Sequence, residues 1–189
     1  TDKRVAVFDY KTGAACGAPA EIYFGKKLQL AIYLKAAAKT YSLEPAAAFY
    51  VPVRDGYTAA GKDFSYKGFM LGDAVAVTEF DRGVAAGEEG AAGFLPVKVK
   101  TAADGEIKVS GSGSALGAKQ ISETLEYAEK VAAAALEDVY RGTVARKPLK
   151  GGCERCVYRE VCAGRIEYER AYSKDVTPYG AAPSVSEDE

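Results

Sequence analysis

Asp9 and Lys11 lie two residues apart at the end of a hydrophobic run, residues 5–8, that contains two valines. The run predicts a buried strand, and the Thr-Gly pair at 12–13 predicts the turn that ends it. Because side chains alternate along a strand, the carboxylate and the ammonium should point to the same face. A carboxylate binds hard divalent cations, and a nearby ammonium can orient water and offset charge on a phosphate. The pair therefore suits metal-assisted phosphodiester cleavage, although an ion pair at a sheet edge has the same spacing.

Gln29 and Tyr33 form a second pair whose spacing brings two polar side chains together. Residues 21–39 show a helical pattern in which Gly25, Gln29 and Tyr33 share one face. Glycine at position 25 would let that face approach another backbone closely. A buried glutamine must be hydrogen-bonded, so this pair either lines a site or is a satisfied part of the core.

Three cysteines, Cys153, Cys156 and Cys162, form a C-x2-C-x5-C pattern in the stretch that we call the cysteine segment, residues 148–165. A C-x2-C pair places two thiolates around one metal, and a third cysteine can join from the next turn. Three thiolates leave a structural zinc or a four-thiolate cluster one ligand short, and Cys16 is the remaining cysteine. The pattern favours an iron–sulfur cluster over zinc. Half a zinc ribbon and unligated thiols are the alternatives.

The most basic part of the chain surrounds these cysteines. Lys150, Arg155 and Arg159 are the candidates for contact with nucleic-acid phosphates, and tyrosines are interleaved with them. Glutamates lie in the same stretch, so a solvated face of paired charges fits the sequence equally well.

The composition restricts the chemistry that the chain can perform. Its 189 residues suffice for one domain with a core, and it has no histidine, which excludes His-based acid–base catalysis and histidine-ligated zinc. With a net charge of -1, any contact with nucleic acid must use a local basic patch. No apolar run is long enough to span a bilayer, and we expect a cytoplasmic protein with no membrane partner. The chain opens with Thr1 and its only methionine is Met70, so we expect a piece of a longer protein.

The elements that must position these residues alternate between strands and helices. Asp73 is the expected N-cap of a helix over 73–80, Gly142 should end the long helix, and residues 173–189 should form a disordered tail. We expect a mobile stretch at 83–93, a loop at 110–117, and an apolar helix face that includes Ile121, Leu125, Ala128, Ala132, Ala135, Leu136 and Val139. After the first strand we predict strands at 46–53, 94–100 and 106–109, a short apolar segment at 67–71, and helices at 21–39 and 118–140. This order indicates an α/β or α+β fold, a small mixed sheet flanked by helices.

Asp9-Tyr10-Lys11, Gln29-x-x-x-Tyr33 and the three cysteines follow one another in the order seen in a known family. Together they resemble the RecB-type branch of the PD-(D/E)XK nucleases, in its iron–sulfur variety. The stretches 49–53, 66–73 and 94–100 are similar to the nuclease domains of the AddB family. The resemblance covers about residues 4–172.

The resemblance implies a role for each matching residue. Asp9 and the backbone carbonyl of Tyr10 would bind Mg²⁺ or Mn²⁺, Lys11 would be the catalytic lysine, and Gln29 and Tyr33 would line the site. The three cysteines would hold irons of a 4Fe–4S cluster. It also implies DNA as substrate, exonuclease activity in double-strand-break repair and recombination, and the helicase/nuclease subunit AddA as partner.

Two departures from the family pattern qualify the expected activity. The family has a further metal-binding acid on an earlier strand and a distant fourth cysteine, and neither is in this chain. We therefore expect the isolated chain to be a weak or inactive nuclease. The alternatives are a CRISPR-associated RecB-like exonuclease and a non-catalytic DNA-binding or scaffolding module with a structural metal.

Overall fold

A central mixed sheet organises the chain. The computed structural model describes residues 3–13, 19–53, 65–88, 91–111, 113–154, 156–162, 170–173 and 175–179. The strands of the sheet are β1 (Arg4–Lys11), β2 (Glu44–Pro52), β3 (Lys67–Leu71) and β6 (Ala115–Leu116), in the order β1-β2-β3-β6. β1 runs parallel to β2, β2 antiparallel to β3, and β3 parallel to β6. This small mixed sheet confirms the predicted fold class.

β1 is an edge strand of the described sheet, and β2 lies beside it in the interior. Six consecutive residues of β2 are buried, as expected for a strand that is covered on both faces. Pro52 is the last residue of β2, where its missing N–H disturbs no ladder. Gly68 has a φ of 141°, and a Cβ there would lie 2.1 Å from the carbonyl oxygen of Ala48, so glycine is required for β3 to pair closely with β2.

One face of the sheet is covered by α1 (Pro19–Tyr23), α2 (Gln29–Tyr41) and α5 (Ala118–Tyr140). The single helix predicted over 21–39 is thus two helices, because the chain turns at Gly25 with a φ of 73°. Gly25 therefore does not share a helix face with Gln29. A side chain at Gly25 would meet Val131 of α5 at 3.1 Å, so the glycine allows the turn to approach a neighbouring side chain rather than a backbone.

The opposite face carries α3 (Ala74–Phe80), which is followed by α4 (Arg82–Ala86). The Asp73 side chain accepts a hydrogen bond of 2.7 Å from the N–H of Ala76, which confirms the predicted cap. Aromatic rings fill the space between α3 and the sheet: Phe8, Phe49, Tyr66 and Phe80. The expectation of a mobile stretch at 83–93 was wrong for its first residues, since they form α4.

A two-stranded antiparallel hairpin, β4 (Lys98–Thr101) with β5 (Ile107–Ser110), turns at Gly105 as predicted, where φ is 84°. β4 begins four residues later than the pattern suggested. The loop expected at 110–117 contains β6, which is too short to show an alternating pattern.

α5 has the predicted bounds, and Gly142 follows it in the left-handed region with a φ of 69°. Ile121, Leu125 and Ala128 are buried as predicted. Leu136 and Val139 are 71% and 76% exposed, so the prediction of one continuous buried face was wrong for the last turns. Near the buried half, burial and then Tyr23 raise the pKa of Tyr127, whose hydroxyl donates to the Tyr23 carbonyl at 3.1 Å.

The C-terminal part returns to the body of the domain. The cysteine segment contains the short α6 (Arg159–Cys162), and a bridge between Leu149 and Arg170 connects its two sides. Further on, Pro178 is fully buried and Tyr179 packs against the core. Residues 175–179 are therefore part of the fold, in contrast to the tail expected there. In the described part of the chain no helix is long and apolar enough to cross a membrane.

Candidate active site

The ammonium group of Lys11 is the centre of a small polar cluster at the end of β1. Its Nζ lies 2.7 Å from Oδ2 of Asp9 and donates a hydrogen bond of 2.9 Å to Oε1 of Gln29. Asp9 and Lys11 are on the same face of β1 because they are two residues apart. Gln29 reaches them because it is the first residue of α2, which packs on β1 and β2.

Gln29 connects Lys11 to Tyr33. The Nε2 group of Gln29 donates a hydrogen bond of 3.3 Å to the hydroxyl of Tyr33, which is one turn further along α2. Tyr33 is 50% exposed, so its ring lies between the cluster and solvent. The structure thus brings together the four side chains that the sequence singled out, and Gln29 is hydrogen-bonded through both ends of its amide.

The carboxylate of Asp9 has the properties of a cation ligand. Its Oδ2 is shielded from solvent and has Lys11 as an ionic neighbour, yet no described residue donates a hydrogen bond to it. Such an oxygen retains capacity for a further positive partner. Mg²⁺ is bound in proteins by one or two carboxylates together with waters and substrate phosphates, so the donor type fits.

The backbone carbonyl of Tyr10 is the second predicted ligand. The carbonyl of Lys11 accepts a hydrogen bond of 2.8 Å from the N–H of Val53, which follows β2. Successive carbonyls along a strand point to opposite sides. The carbonyl of Tyr10 therefore points away from β2, toward the side of β1 on which the described residues place no strand.

Two further residues on the sheet face of Asp9 and Lys11 were not predicted from the sequence to be part of the site. Asp9 pairs with Tyr50 on β2, and Tyr50 pairs with Lys67 on β3, so the three side chains form a row across the sheet. Tyr50 is 3% exposed, and Lys11 Nζ lies 5.3 Å from the centre of its ring. Lys67 is exposed. Only the strand register reveals this row, and no local spacing in the sequence encodes it.

The three cysteines of the cysteine segment are not gathered into one site. Cys156 is exposed, Cys153 and Cys162 are half-buried, and none of the three forms a disulfide. Within the described ranges no three Cys, Asp or Glu side chains form a group that could hold a metal ion. Thiolates are the ligands that iron–sulfur clusters use, so the donor chemistry fits, but the arrangement does not. Cys16 lies outside the described residues.

The basic residues near the cysteines have different surroundings. Lys150 and Arg159 are exposed, and Arg155 lies outside the described residues. Of the interleaved tyrosines, Tyr172 contacts the ring of Phe24 and lies under Lys26, whose Nζ is 5.3 Å from the ring centre. Tyr172, which follows the cysteine segment, therefore anchors this part of the chain to the α1–α2 turn.

Comparison with known families identifies the superfamily of the chain. The model of the PD-(D/E)XK nuclease superfamily matches residues 1–163. The chain belongs to this superfamily. The resemblance inferred from the Asp-Tyr-Lys and Gln-x-x-x-Tyr patterns is thereby confirmed.

Curated relatives of this PD-(D/E)XK chain include three proteins that are each named as the B subunit of an ATP-dependent helicase/deoxyribonuclease. The protein of Desulforudis audaxviator is 28% identical over 83% of this chain. The proteins of Clostridium acetobutylicum and Caldanaerobacter subterraneus are 25% and 26% identical over 84% and 90% of it. The chain spans about 15% of the length of the first of these relatives and 16% of the last.

Proposed function

We propose that this chain is the nuclease domain of the B subunit of an ATP-dependent helicase/nuclease, and that it hydrolyses DNA phosphodiester bonds with Mg²⁺ or Mn²⁺. The names of the relatives support the assembly, and membership of the PD-(D/E)XK superfamily supports the reaction. The observation that carries the proposal is the position of Lys11 between Asp9 and Gln29.

Each side chain of the cluster has a role that its contacts support. Asp9 and the Tyr10 carbonyl would hold the metal, which when bound supplies a Lewis acid and lowers the pKa of water. Lys11 places a positive charge where negative charge develops on the scissile phosphate. Gln29 fixes the direction of the ammonium, and Tyr33 fixes Gln29. Since Gln29 begins α2, the positive end of that helix dipole also favours a phosphate here.

The partners follow from the assembly in which the relatives are named. We propose DNA as substrate, double-strand-break processing as the process, and an AddA-type helicase/nuclease as the other subunit. We further propose that Cys153, Cys156 and Cys162 hold a 4Fe–4S cluster, which requires their thiols to move together and a fourth ligand to join them. The described residues supply one carboxylate to the active site, so we expect the chain alone to be a weak or inactive exonuclease.

Substitution of Lys11 and Asp9 tests the proposal. In the longer subunit with its partner, Lys11→Ala and Asp9→Asn should each lower Mg²⁺-dependent cleavage by about 10²–10³-fold, the effect of removing one preorganised charge. DNA binding should remain. Lys35→Ala is the control, because Lys35 pairs with Glu129 of α5 and not with the Lys11 cluster. Full cleavage by Lys11→Ala would contradict the catalytic proposal and favour a DNA-binding module.

A further inference from the structure

We propose that Tyr50 is a positioning residue for Lys11, and that its buried ring forms the third wall of the site that holds the ammonium. The consequence for catalysis rests on the proposed function. The positioning itself is a property of the fold and can be tested without activity.

The sheet register places Tyr50 beside the reacting groups. In the parallel pair of β1 and β2, Tyr50 is the partner of Asp9, so its side chain projects from the same face as Asp9 and Lys11. The Nζ of Lys11 lies 5.3 Å from the centre of the Tyr50 ring. An ammonium within this range of an aromatic ring is attracted by its negative π-face. Tyr50 is 3% exposed and the Lys11 side chain is 35% exposed, so the ring is a fixed, buried surface against which a partly exposed ammonium rests.

The Tyr50 ring adds a third, uncharged restraint on the ammonium of Lys11 to the polar contacts with Asp9 and Gln29. A lysine side chain is long and has four rotatable bonds, so its ammonium needs restraint from several directions to stay in one place. Asp9 and Gln29 restrain it through Oδ2 and Oε1. The Asp9 contact depends on charge, and a divalent cation on the same carboxylate would weaken it and repel the ammonium. Gln29 and the Tyr50 ring are neutral, so they can retain Lys11 when Asp9 is engaged elsewhere.

The position of Tyr50 in the sheet allows its ring to be replaced without altering the aromatic cluster on the opposite face. Its neighbour Phe49 points to the opposite face, where it packs with the aromatic cluster under α3. Phe69 on β3 provides a matched control, because its partner Ala48 places it on the Tyr50 face, and it is 2% exposed. Both residues are buried aromatics on neighbouring strands of one face. Of the two, Tyr50 is the one whose ring meets Lys11.

Magnetic resonance of the chain with isotopically labelled lysine provides the direct test. The ε-methylene signal of Lys11, assigned by its loss in Lys11→Arg, should show the upfield shift that an adjacent ring face produces. The shift should persist in Tyr50→Phe and Phe69→Leu and disappear in Tyr50→Leu. It should also persist when Mg²⁺ is added to the unsubstituted chain. An unchanged Lys11 shift in folded Tyr50→Leu would overturn the proposal. If Tyr50→Leu does not fold, Tyr50→Met, which fills more of the space, replaces it.

Kinetics of the longer subunit with its partner provide the second test. Tyr50→Leu should lower kcat by about tenfold and leave KM for DNA within about twofold, since a misplaced ammonium weakens the transition state more than substrate binding. Tyr50→Phe should rescue kcat. Equal losses in Tyr50→Phe and Tyr50→Leu would show that the ring does not position Lys11. If the unsubstituted subunit does not cleave DNA, the proposed function fails, while the lysine signal still decides the positioning.

Discussion

The Lys11 cluster and the cysteine segment differ in how far the rest of the fold encloses their side chains. Lys11 meets Gln29, 18 positions away, and the ring of Tyr50, so three elements of the fold converge on its ammonium. In the cysteine segment the N–H of Cys156 donates to the carbonyl of Cys153, and the N–H of Cys162 to that of Tyr158. The side chains beside these cysteines project into solvent: Val157, Tyr158 and Val161 are 87%, 71% and 88% exposed.

The Lys11 cluster and the cysteine segment therefore owe their geometry to different physical causes. The arrangement around Lys11 follows from packing of β1, β2 and α2, because a close-packed interior leaves each side chain few alternative positions. In the cysteine segment Cys156 is exposed and Cys153 and Cys162 are half-buried, so packing confines the three thiols less. In the proposed cluster, binding of the iron would supply the free energy that gathers them, as metal binding does in small metal-binding domains.

Truncation of a buried side chain on α2 should destabilise the fold far more than truncation of an exposed side chain in the cysteine segment. This is the largest effect that we predict. Leu34 of α2, the residue after Tyr33, is fully buried, and Leu34→Ala should lower the free energy of unfolding by about 2–5 kcal/mol. Val161→Ala in the cysteine segment should change it by less than about 0.5 kcal/mol. Urea denaturation followed by circular dichroism measures both.

Leu136→Ala is the matched control for the leucine substitution, because Leu136 is also helical but 71% exposed. It should behave like Val161→Ala. A loss from Val161→Ala as large as that from Leu34→Ala would show that the cysteine segment is packed in solution, and the contrast between the regions would disappear.

Removal of one thiolate should abolish the proposed cluster and leave the Lys11 cluster intact. In the longer subunit purified without oxygen, we expect about four irons per chain, and Cys156→Ser should lose the iron and the visible absorbance. The lysine signals of the Lys11 cluster should not change, because no described contact joins Cys156 to it. The Cys16→Ser variant tests whether Cys16 is the fourth ligand. Bound zinc in place of iron would contradict the cluster and favour a scaffolding role.

Loss of the Gln29 amide should have a smaller effect that is confined to the reaction. Gln29→Ala removes the acceptor for Lys11 and the donor to Tyr33, and we expect cleavage to fall by about tenfold with little change in stability. Gln120→Ala is the control in the first turn of another helix, where the side chain accepts from the N–H of Gly117. It should leave cleavage unchanged. An equal loss of cleavage in both variants would contradict a specific role for Gln29.

The elements that the sequence predicted well are those whose signals are local. The first and last residues of α5 were predicted correctly because the helix consists of good helix formers and is flanked by glycines. Asp73 was predicted as a cap because a capping side chain bonds a backbone N–H within three residues. The break at Gly25 was missed because the apolar pattern continues across it. The exposure of Leu136 depends on which elements pack against the last turns of α5, which no property of the helix itself specifies.

The same distinction applies to the active site. Asp9 with Lys11, and Gln29 with Tyr33, were found because each pair obeys the spacing of its own element. Tyr50 and Lys67 belong to the site through the register of three strands, which arises from the packing of the whole sheet. The local pattern at Tyr50 is only that of a buried strand.

The smallest predicted effect concerns Lys67, the exposed end of the row that begins at Asp9. The two strand steps between them place Lys67 roughly 10 Å from the Asp9 carboxylate, on the face where the proposed function would place DNA. A lysine there can contact a phosphate next to the scissile one, so Lys67→Gln should weaken DNA binding a few-fold and reduce the dependence of log affinity on log salt by about one unit. Lys108→Gln is the matched control, because Lys108 is exposed on β5 of the separate hairpin and pairs with Glu106. Equal salt dependence in the two variants would limit the DNA-binding face to the β1 and β2 side of the sheet.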